Sequence, residues 1–331
     1  MSGPVIVVGE NSVLQKTCTL ERLVRGEVNR IDSEHVSASG KGMNVSLVLS
    51  ALDVHAVLVG YAGGGNGRRF ENACRETGID ARITGIQQET RQCMTIIEPD
   101  GTTTEIVEPS PAVSPVESAS LRNAVLELIR GASLLCICGT AVGHEPDNAY
   151  YDIVREARML NVPVILDAHK EHGTRALGAA PDVLKINEQE LTEIHSALQG
   201  SPRPDETTRQ DRERMARDLI ATCGINIVIV TRGKFGAEAY DSHGWASAVS
   251  SITNIVNPIG CGDAFTAALA QKMTQDRPAV DTAPPLASLI RHGVTVATAH
   301  GLSMMPGHLD TANISRVART ILVSGSERTM H

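Results

Sequence analysis

Short apolar runs alternate with stretches of helical periodicity along most of the chain. Residues 4–9, PVIVVG, form one such run, and others follow at HAVLVG, SLLCIC, VPVILD, DVLKIN and INIVIVT. Runs of this length, bounded by turn residues, predict buried strands. Between them, the spacing predicts helices over about 43–53, 68–78, 115–130, 146–160 and 188–198, and others beginning near 261, 285 and 311. This alternation predicts a doubly wound, mostly parallel α/β sheet.

Two parts of the chain instead show near-alternation of polar and apolar residues. Residues 19–38 alternate around Gly26, and DARITGI, RQCMTIIE and TTTEIVE alternate around the turn PDG at 99–101. The pattern predicts hairpins with two unlike faces, partly in solvent. We expect the two parts, at about 13–38 and 86–107, to form a small sheet inserted in a single α/β domain of residues 1–331. Another hairpin is expected at 235–249.

Composition excludes several functional classes. The chain has 331 residues, of which 42% are hydrophobic and only 2% aromatic, so aliphatic side chains must fill the core. Such a core suits parallel strands covered by helices on both faces. A net charge of −8 argues against nucleic-acid binding through a basic surface. No apolar run is long enough to predict a membrane span, the N-terminus does not resemble a signal peptide, and irregularly spaced cysteines favour free thiols in the cytoplasm.

The segment NPIGCGDAFTAALA, residues 257–270, places two glycines and an aspartate at the start of a predicted helix. Backbone N–H groups at a helix start attract anions, and Gly260 and Gly262 would let a phosphate approach closely. Asp263 stands where its carboxylate could accept a proton from an attacking hydroxyl. The alternative is that Asp263 only caps the helix.

Two further helix starts carry residues suited to binding anions or metals. Lys41 lies between Gly40 and Gly42 before a predicted helix, where it could contact an anion, although a solvated turn would have the same sequence. Asn187 and Glu190, three residues apart after a strand, could hold Mg²⁺ through water. The alternative for this pair is an ordinary N-cap with a glutamate in the first turn.

Taken in order, these segments resemble the ribokinase-like phosphofructokinase-B (PfkB) family of carbohydrate kinases. Within it, they are similar to the branch containing 1-phosphofructokinase and tagatose-6-phosphate kinase. The similarity extends over nearly the whole chain. It rests on GEVNR (26–30), GKGMNVSLVLSAL (40–52), ETRQCMTIIEPDGTTTEI (89–106), KINEQEL (185–191) and NPIGCGDAFTAAL (257–269), of which the last is the most specific.

The resemblance implies a ribokinase-like fold and roles for individual residues. Asp263 would be the base that deprotonates the acceptor hydroxyl. The amides of Gly260, Cys261 and Gly262 would form an anion hole for the transferred phosphoryl group. The alternating hairpins would form a β lid that closes over the sugar, excludes water and builds a homodimer interface.

The remaining implied roles concern the substrates, ATP and Mg²⁺. On the sugar side the matching residues are Gln15, Gly40, Lys41, Gly42, Asn44 and Arg91. On the nucleotide side they are Lys185, Asn187, Thr231, Gly233 and Gly236. Asn187 and Glu190 would hold Mg²⁺, and Lys41 and Arg91 would contact a phosphate already on the sugar.

The sequence departs from the family pattern after the first strand. The branch usually has Asn-Pro-Ala-x-Asp there, whereas this chain has Asn11-Ser12-Val13-Leu14-Gln15. Gln15 stands where the aspartate is expected, and an amide cannot act as a charged double acceptor. A second departure is Ser39, where the family often has glycine.

We expect an ATP- and Mg²⁺-dependent kinase acting on a sugar hydroxyl, with a sugar phosphate of the fructose-1-phosphate or tagatose-6-phosphate type as acceptor. One alternative is a kinase of an unphosphorylated sugar or nucleoside. A second is a catalytically silent sugar-binding or regulatory protein of the same fold, which the changed Gln15 segment would favour and the intact Gly-Cys-Gly-Asp segment disfavours.

Overall fold

The computed structural model describes residues 3–142, 148–200, 204, 206–275 and 285–326, and its centre is a ten-stranded sheet. The strands of the described chain are β1 (Val5–Val8), β2 (Val13–Thr19), β3 (Ser33–Ser39), β4 (Ala56–Gly63), β5 (Asp80–Ile86), β6 (Gln92–Ile97), β7 (Thr103–Val107), β8 (Leu134–Cys138), β9 (Val164–Asp167), β10 (Val183–Asn187), β11 (Ile227–Thr231), β12 (Ala237–Tyr240), β13 (Trp245–Ser250) and β14 (Ile321–Gly325).

The large sheet has the order β14-β13-β12-β11-β10-β9-β8-β1-β4-β5. Every pair from β5 to β11 is parallel, whereas β12, β13 and β14 add antiparallel strands at one side. The predicted mostly parallel sheet is therefore confirmed. The short edge strand β14 was not predicted, because only Ile321 in it is buried and its apolar run is brief.

Helices cover both faces of the large sheet. They are α1 (Lys41–Ala51), α2 (Gly64–Glu76), α3 (Pro115–Leu128), α4 (Ala149–Met159), α5 (Lys170–Ala176), α6 (Glu188–Gln199), α7 (Arg209–Cys223), α8 (Cys261–Gln275), α9 (Leu286–Gly301) and α10 (Ala312–Ala318). The predicted helices are confirmed within a few residues, except that the first residues of the one expected over 146–160 lie outside the described residues. Among the described helices, none is long and apolar enough to cross a membrane.

The strand residues of the large sheet divide between two cores. Along β1, Val5 and Val7 pack with α1, α2, α8 and α9 on one face, and Ile6 and Val8 pack with α3, α4, α6 and α7 on the other. Successive side chains of a strand point to opposite faces, so a continuous apolar run supplies both cores. This is why the buried strands could be recognised as short uninterrupted apolar runs.

A separate four-stranded sheet, called the small sheet below, has the order β3-β2-β6-β7. Strands β2 and β3 are antiparallel, β2 and β6 are parallel, and β6 and β7 form an antiparallel hairpin around the predicted PDG turn. The predicted small separate sheet is present, with strand bounds of 13–19, 33–39, 92–97 and 103–107.

One detail of the hairpin prediction is wrong. DARITGI does not join the small sheet, because as β5 it pairs in parallel with β4 in the large sheet. It is the edge strand there, with one face in solvent, and this produces the polar alternation. Gly26 does lie in a turn, with a φ of 90° and a hydrogen bond of 3.4 Å from the Glu27 N–H to the Val24 carbonyl oxygen, but this turn is part of a long connection between β2 and β3.

Candidate active site

A cavity of about 610 Å³ lies between the small sheet and the carboxyl ends of parallel strands. This edge of an open α/β sheet is where ligands commonly bind, because loops and helix starts converge there. Most of the predicted site residues line this cavity. They are Gln15, Gly40, Lys41, Asn44, Arg91, Lys185, Asn187, Glu190, Thr231, Gly260, Gly262 and Asp263.

A second cavity, of about 400 Å³, adjoins the first. Thr231, Pro258 and Gly262 line both cavities, so the two spaces meet at the start of α8. The predicted residues Gly233, Gly236 and Cys261 line the second cavity. Its other walls are largely apolar, formed by Ile252, Ile255, Phe265, Val294 and Ala297.

Gly42 lines neither of these cavities, contrary to the expected place beside the sugar. A side chain at Gly42 would place its Cβ 2.6 Å from the Cα of Gly9. The absence of a Cβ therefore lets α1 pack closely against the end of β1. Gly40 does line the larger cavity. Its φ is 106°, and a Cβ there would lie only 2.5 Å from the Asn11 carbonyl oxygen, so this position also requires glycine.

Asp263 is the third residue of α8 and is 6% exposed. Its Oδ2 accepts a hydrogen bond of 2.7 Å from Asn44 Nδ2 in α1, and Asn44 Oδ1 in turn accepts one of 3.0 Å from Ser39 Oγ. Burial raises the pKa of Asp263 to about 6, although the nearby charge of Lys41 opposes the rise. Asp263 is therefore a residue of α8 itself, and its carboxylate is hydrogen-bonded to a side chain of α1. A simple N-cap would instead precede the helix and bind that helix's own N–H groups.

Asp167, at the end of β9, is a second carboxylate that the sequence analysis missed. It is 2% exposed and accepts hydrogen bonds from Lys41 Nζ at 3.0 Å, Lys185 Nζ at 2.9 Å and Thr266 Oγ1 at 2.7 Å. Burial alone would raise the pKa of Asp167, but the charges of Lys185 and Lys41 bring it below its ordinary value. Its place directly after the buried run VPVIL was the available signal, because acidic residues at such strand ends often face ligands.

Lys41 therefore lies between the cavity and a buried counter-ion. Burial by itself would lower the pKa of Lys41, but the carboxylates of Asp167 and Asp263 raise it above its ordinary value. Its side chain is 37% exposed, so the ammonium group is paired and still reaches the cavity. Lys185 is more enclosed, with a side chain that is 5% exposed.

Gln15 and Arg91 contribute to the wall of the cavity that the small sheet forms. Gln15, on β2, donates from Nε2 to Thr95 Oγ1 at 2.8 Å and to the Lys16 carbonyl oxygen at 3.3 Å. Arg91 directly precedes β6, and its Nη1 donates to the Glu108 carbonyl oxygen at 3.3 Å, whereas its Nε is buried with no partner among the described residues. Arg91 thus has unused hydrogen-bonding capacity where a ligand phosphate is expected.

Asn187 and Glu190 form a reciprocal helix cap at the start of α6. Asn187 Oδ1 accepts from the Glu190 N–H at 2.8 Å, and Glu190 Oε2 accepts from the Asn187 N–H at 2.9 Å. The capping alternative is therefore realised, although both residues also line the larger cavity. Glu190 Oε1 lies 3.0 Å from His169 Nδ1, and among the described residues no group of three or more acidic, histidine or cysteine side chains could hold a metal.

His300 is a further buried residue next to the Gly-Cys-Gly-Asp segment that the sequence did not reveal. Its Nε2 accepts a hydrogen bond of 2.9 Å from the Gly307 N–H, and Nδ1 lies 3.8 Å from Cys261 Sγ. Burial lowers the pKa of His300 to about 4, so the ring is neutral at pH 7. A side chain at Gly260 would have its Cβ 3.0 Å from the ring, which fits glycine at that position together with its φ of 84°.

A ribokinase-like α/β sheet with two joined cavities, a helix start and a buried carboxylate defines a kinase-type site. A model of the pfkB family carbohydrate kinases matches residues 5–299, and the chain belongs to that family. A tagatose-6-phosphate kinase of Staphylococcus epidermidis is 25% identical over 89% of this chain and 91% of its own length. A 1-phosphofructokinase of Rhodobacter capsulatus is 27% identical over 84% of this chain and 86% of its own.

Solved structures share the fold. Phosphofructokinase-2 of Escherichia coli in complex with potassium superposes with a TM-score of 0.84 and 20% identity, over 96% of this chain and 98% of that chain. Ribokinase of Arabidopsis thaliana complexed with ribose and ATP gives a TM-score of 0.72 and 20% identity, over 96% and 99% of the two chains. The predicted family and the ribokinase-like fold are confirmed.

Proposed function

We propose that this chain transfers the γ-phosphoryl group of ATP to a hydroxyl of a sugar phosphate, with Mg²⁺. The observation that carries the proposal is the junction of the two cavities at Gly262, with Asp263 buried on the side of the larger one. Family membership supports the kinase activity. The names of the relatives, tagatose-6-phosphate kinase and 1-phosphofructokinase, support a phosphorylated acceptor.

In the proposed reaction, the sugar lies in the larger cavity and the nucleotide in the smaller one. Asp263 takes the proton of the acceptor hydroxyl as its oxygen attacks the γ-phosphorus, and ADP leaves. A carboxylate whose pKa is raised to about 6 is a better proton acceptor than an ordinary aspartate and is still largely ionised at pH 7. Asn44 orients this carboxylate through its 2.7 Å hydrogen bond.

The phosphoryl group would pass over the start of α8. The backbone N–H groups of Gly260, Cys261 and Gly262 are at the positive end of the helix and would stabilise the charge on the transferred group. Lys185 Nζ lies 3.5 Å from where a Cβ of Gly262 would be, so a fixed ammonium group is close to the same place. Burial between the small sheet and the large sheet would keep water from the reaction.

Magnesium is expected to arrive with the nucleotide. Mg²⁺ commonly uses one or two carboxylates and completes its coordination with water and substrate phosphates, so a wall with Glu190 and the amide of Asn187 fits this ion. Bound Mg²⁺ would neutralise phosphate charge. Thr231, Gly233 and Gly236 would face the nucleotide, and the apolar walls of the smaller cavity suit a base.

Lys41 and Arg91 are the proposed contacts to the phosphate already on the sugar. Both line the larger cavity, and the buried Arg91 Nε has no partner among the described residues. Arg91 directly precedes β6 of the small sheet, so a wall of the sugar site depends on that sheet. We further propose one α/β domain in which the small sheet is an insertion, and a homodimer formed through it.

An ATP-consumption assay tests the proposed function. The panel contains tagatose 6-phosphate, fructose 1-phosphate, fructose 6-phosphate and the corresponding unphosphorylated sugars, with phosphorylated product confirmed by mass spectrometry. We expect turnover with at least one sugar phosphate and much lower kcat/KM with every neutral sugar. A preference for a neutral sugar would replace the acceptor class, and no turnover with any member would support the silent binding protein.

A further inference from the structure

Glu105 is a carboxylate on the wall of the larger cavity to which no role has been given. It lies on β7 of the small sheet, directly opposite Thr95 of β6. Its side chain is exposed, but partial desolvation raises the pKa of Glu105, and the neighbouring Thr95 hydroxyl opposes the rise. Among the described residues Glu105 forms no ion pair, whereas the other two carboxylates that line the cavity, Glu190 and Asp263, already hold fixed partners.

Thr95 lies between Glu105 and Gln15: it is opposite Glu105 in the small sheet and hydrogen-bonded to Gln15. An ionised carboxylate only accepts, so Glu105, which lies directly opposite Thr95, can take the single hydroxyl hydrogen of Thr95. Thr95 Oγ1 accepts from Gln15 Nε2 at 2.8 Å, which leaves that hydrogen available. Thr95 is fully buried, so no solvent competes for its bond from Gln15.

The same logic fixes which end of the Gln15 amide remains for a ligand. The two hydrogens of Nε2 are directed to Thr95 Oγ1 and to the Lys16 carbonyl oxygen, the latter at 3.3 Å. An amide flip would place its oxygen against that carbonyl, which cannot donate. Gln15 therefore has only its acceptor Oε1 left to bind a ligand. Glu105 adds a charged acceptor on β7, which is separated from β2 by β6.

We infer that Glu105 and Gln15 Oε1 together accept hydrogen bonds from hydroxyl groups of the acceptor sugar, with Thr95 holding the two in place. The inference rests on the proposed function, because it needs a sugar in the larger cavity. Two acceptors and one negative charge are what a single aspartate would supply at the Gln15 position. Here they are divided between two strands of the small sheet, so hydroxyl recognition depends on β7.

The main test is Glu105→Gln, which keeps the shape and removes the charged acceptor. Because the variant loses a hydrogen bond to a charged group, we expect the KM for the sugar to rise by about 10- to 100-fold. The change in kcat should be much smaller, and the KM for ATP should stay within about twofold, since Glu105 does not line the nucleotide cavity. Glu34→Gln is the matched control.

Glu34 is a suitable control because it removes the same charge from the same sheet outside the cavity. It lies on β3 and pairs with Lys16 at 2.7 Å, and an exposed pair of this kind contributes little. Thr95→Val tests the positioning role: it should raise the sugar KM with little change in kcat, and Thr95→Ser should restore most of the affinity. The melting temperature of each variant separates loss of recognition from loss of fold.

Deoxy analogues of the preferred sugar give the sharpest readout. If Glu105 binds a particular hydroxyl, the analogue lacking that hydroxyl should bind wild type and Glu105→Gln equally. Equal penalties of Glu105→Gln on every analogue would contradict the inference. So would a change of less than twofold in the sugar KM, or equal losses for sugar and ATP.

Calorimetric binding keeps the inference testable whatever the turnover assay shows. Tagatose 6-phosphate, fructose 1-phosphate and their neutral counterparts are titrated into wild type and Glu105→Gln without ATP. Weaker binding by the variant supports the role of Glu105 even if the preferred sugar is neutral or no kinase activity appears, outcomes that would overturn only the proposed function. Identical binding by the two proteins, or binding by neither, overturns the inference.

Discussion

At the scale of single residues, Asp263 combines burial, a hydrogen bond from Asn44 and a raised pKa. These features predict the pH dependence of turnover. A base acts when it is deprotonated, and because burial raises the pKa of Asp263 to about 6, kcat/KM should fall as the pH drops through about 6. A rate profile between pH 5 and 8 at saturating ATP checks this, and a flat profile over that range would contradict it.

Replacing Asp263 distinguishes its effect on the stability of the fold from its role in catalysis. Asp263→Asn should lower kcat by about 100-fold or more, the usual scale for a positioned base. Because the pKa of Asp263 is higher in the folded than in the unfolded chain, its ionisation destabilises the fold as the pH rises from about 4 to 6. The variant should therefore melt at the same or a higher temperature at pH 7, and near-normal turnover would remove Asp263 from the mechanism.

Arg91 provides the residue-scale test of the phosphate on the sugar. Arg91 lines the larger cavity and its Nε has no partner among the described residues, so a ligand phosphate would supply an acceptor for this guanidinium group. Arg91→Ala should raise the KM for a sugar phosphate by about 10- to 150-fold and leave a neutral sugar unaffected. Arg82→Ala, on the exposed edge strand β5, is the control, and an equal effect of both changes would argue against a phosphate contact.

At the scale of elements, the start of α6 has two functions that a single substitution can separate. Glutamine serves at the third position of a capping box as well as glutamate, so Glu190→Gln keeps the cap and removes the charge. We expect a higher Mg²⁺ requirement and slower turnover, with sugar affinity little changed. The measurement is the rate as a function of free Mg²⁺ at fixed ATP.

The start of α3 supplies the matched control for that experiment. Ser114 and Glu117 form the same reciprocal cap there, and neither residue lines the two cavities. Glu117→Gln should therefore leave both stability and Mg²⁺ dependence almost unchanged. If Glu190→Gln behaves in the same way, the Asn187 and Glu190 pair is only a helix cap.

Element boundaries were predictable where hydrophobic pattern alone decides them. Strands buried on both faces appear as continuous apolar runs, so the central strands could be read from the sequence. The edge strand β5 was assigned to the wrong sheet because one exposed face gives the same alternation as a hairpin. Which sheet such a strand joins depends on its partner, here β4, and a single sequence does not specify partners.

The site was predictable where residues follow one another and unpredictable where they meet only in space. Gly260, Gly262 and Asp263 are adjacent in the chain, so their chemistry was visible. Asp167 at the end of β9 meets Lys185 on the neighbouring strand β10 and Lys41 at the start of α1, which is 126 residues away in the chain. Glu105 could not be recognised as a site residue from the sequence, because its role depends on its position opposite Thr95 in the small sheet.

At the scale of the whole molecule, the small sheet leaves apolar side chains in solvent. Val28 is 80% exposed and Ile106 is 56% exposed, and both belong to the small sheet or its connecting loop. Exposed apolar residues on edge strands and loops commonly mark an interface between subunits. They support the proposed homodimer, in which this surface would be covered by a second copy of the chain.

The corresponding prediction concerns the mass of the protein in solution. Light scattering at micromolar concentration should give twice the mass of one chain, and Val28→Asp combined with Ile106→Asp should shift it toward one chain. Val116→Asp is the control, because Val116 is 75% exposed on α3 and an acidic residue in the first turn of a helix is tolerated.

Since Ile106 is next to Glu105 in β7, separation of the subunits should also weaken sugar binding if the partner holds this strand in place. A wild-type monomer would contradict the dimer, and a monomeric variant with unchanged sugar KM would show that β7 is held by its own chain.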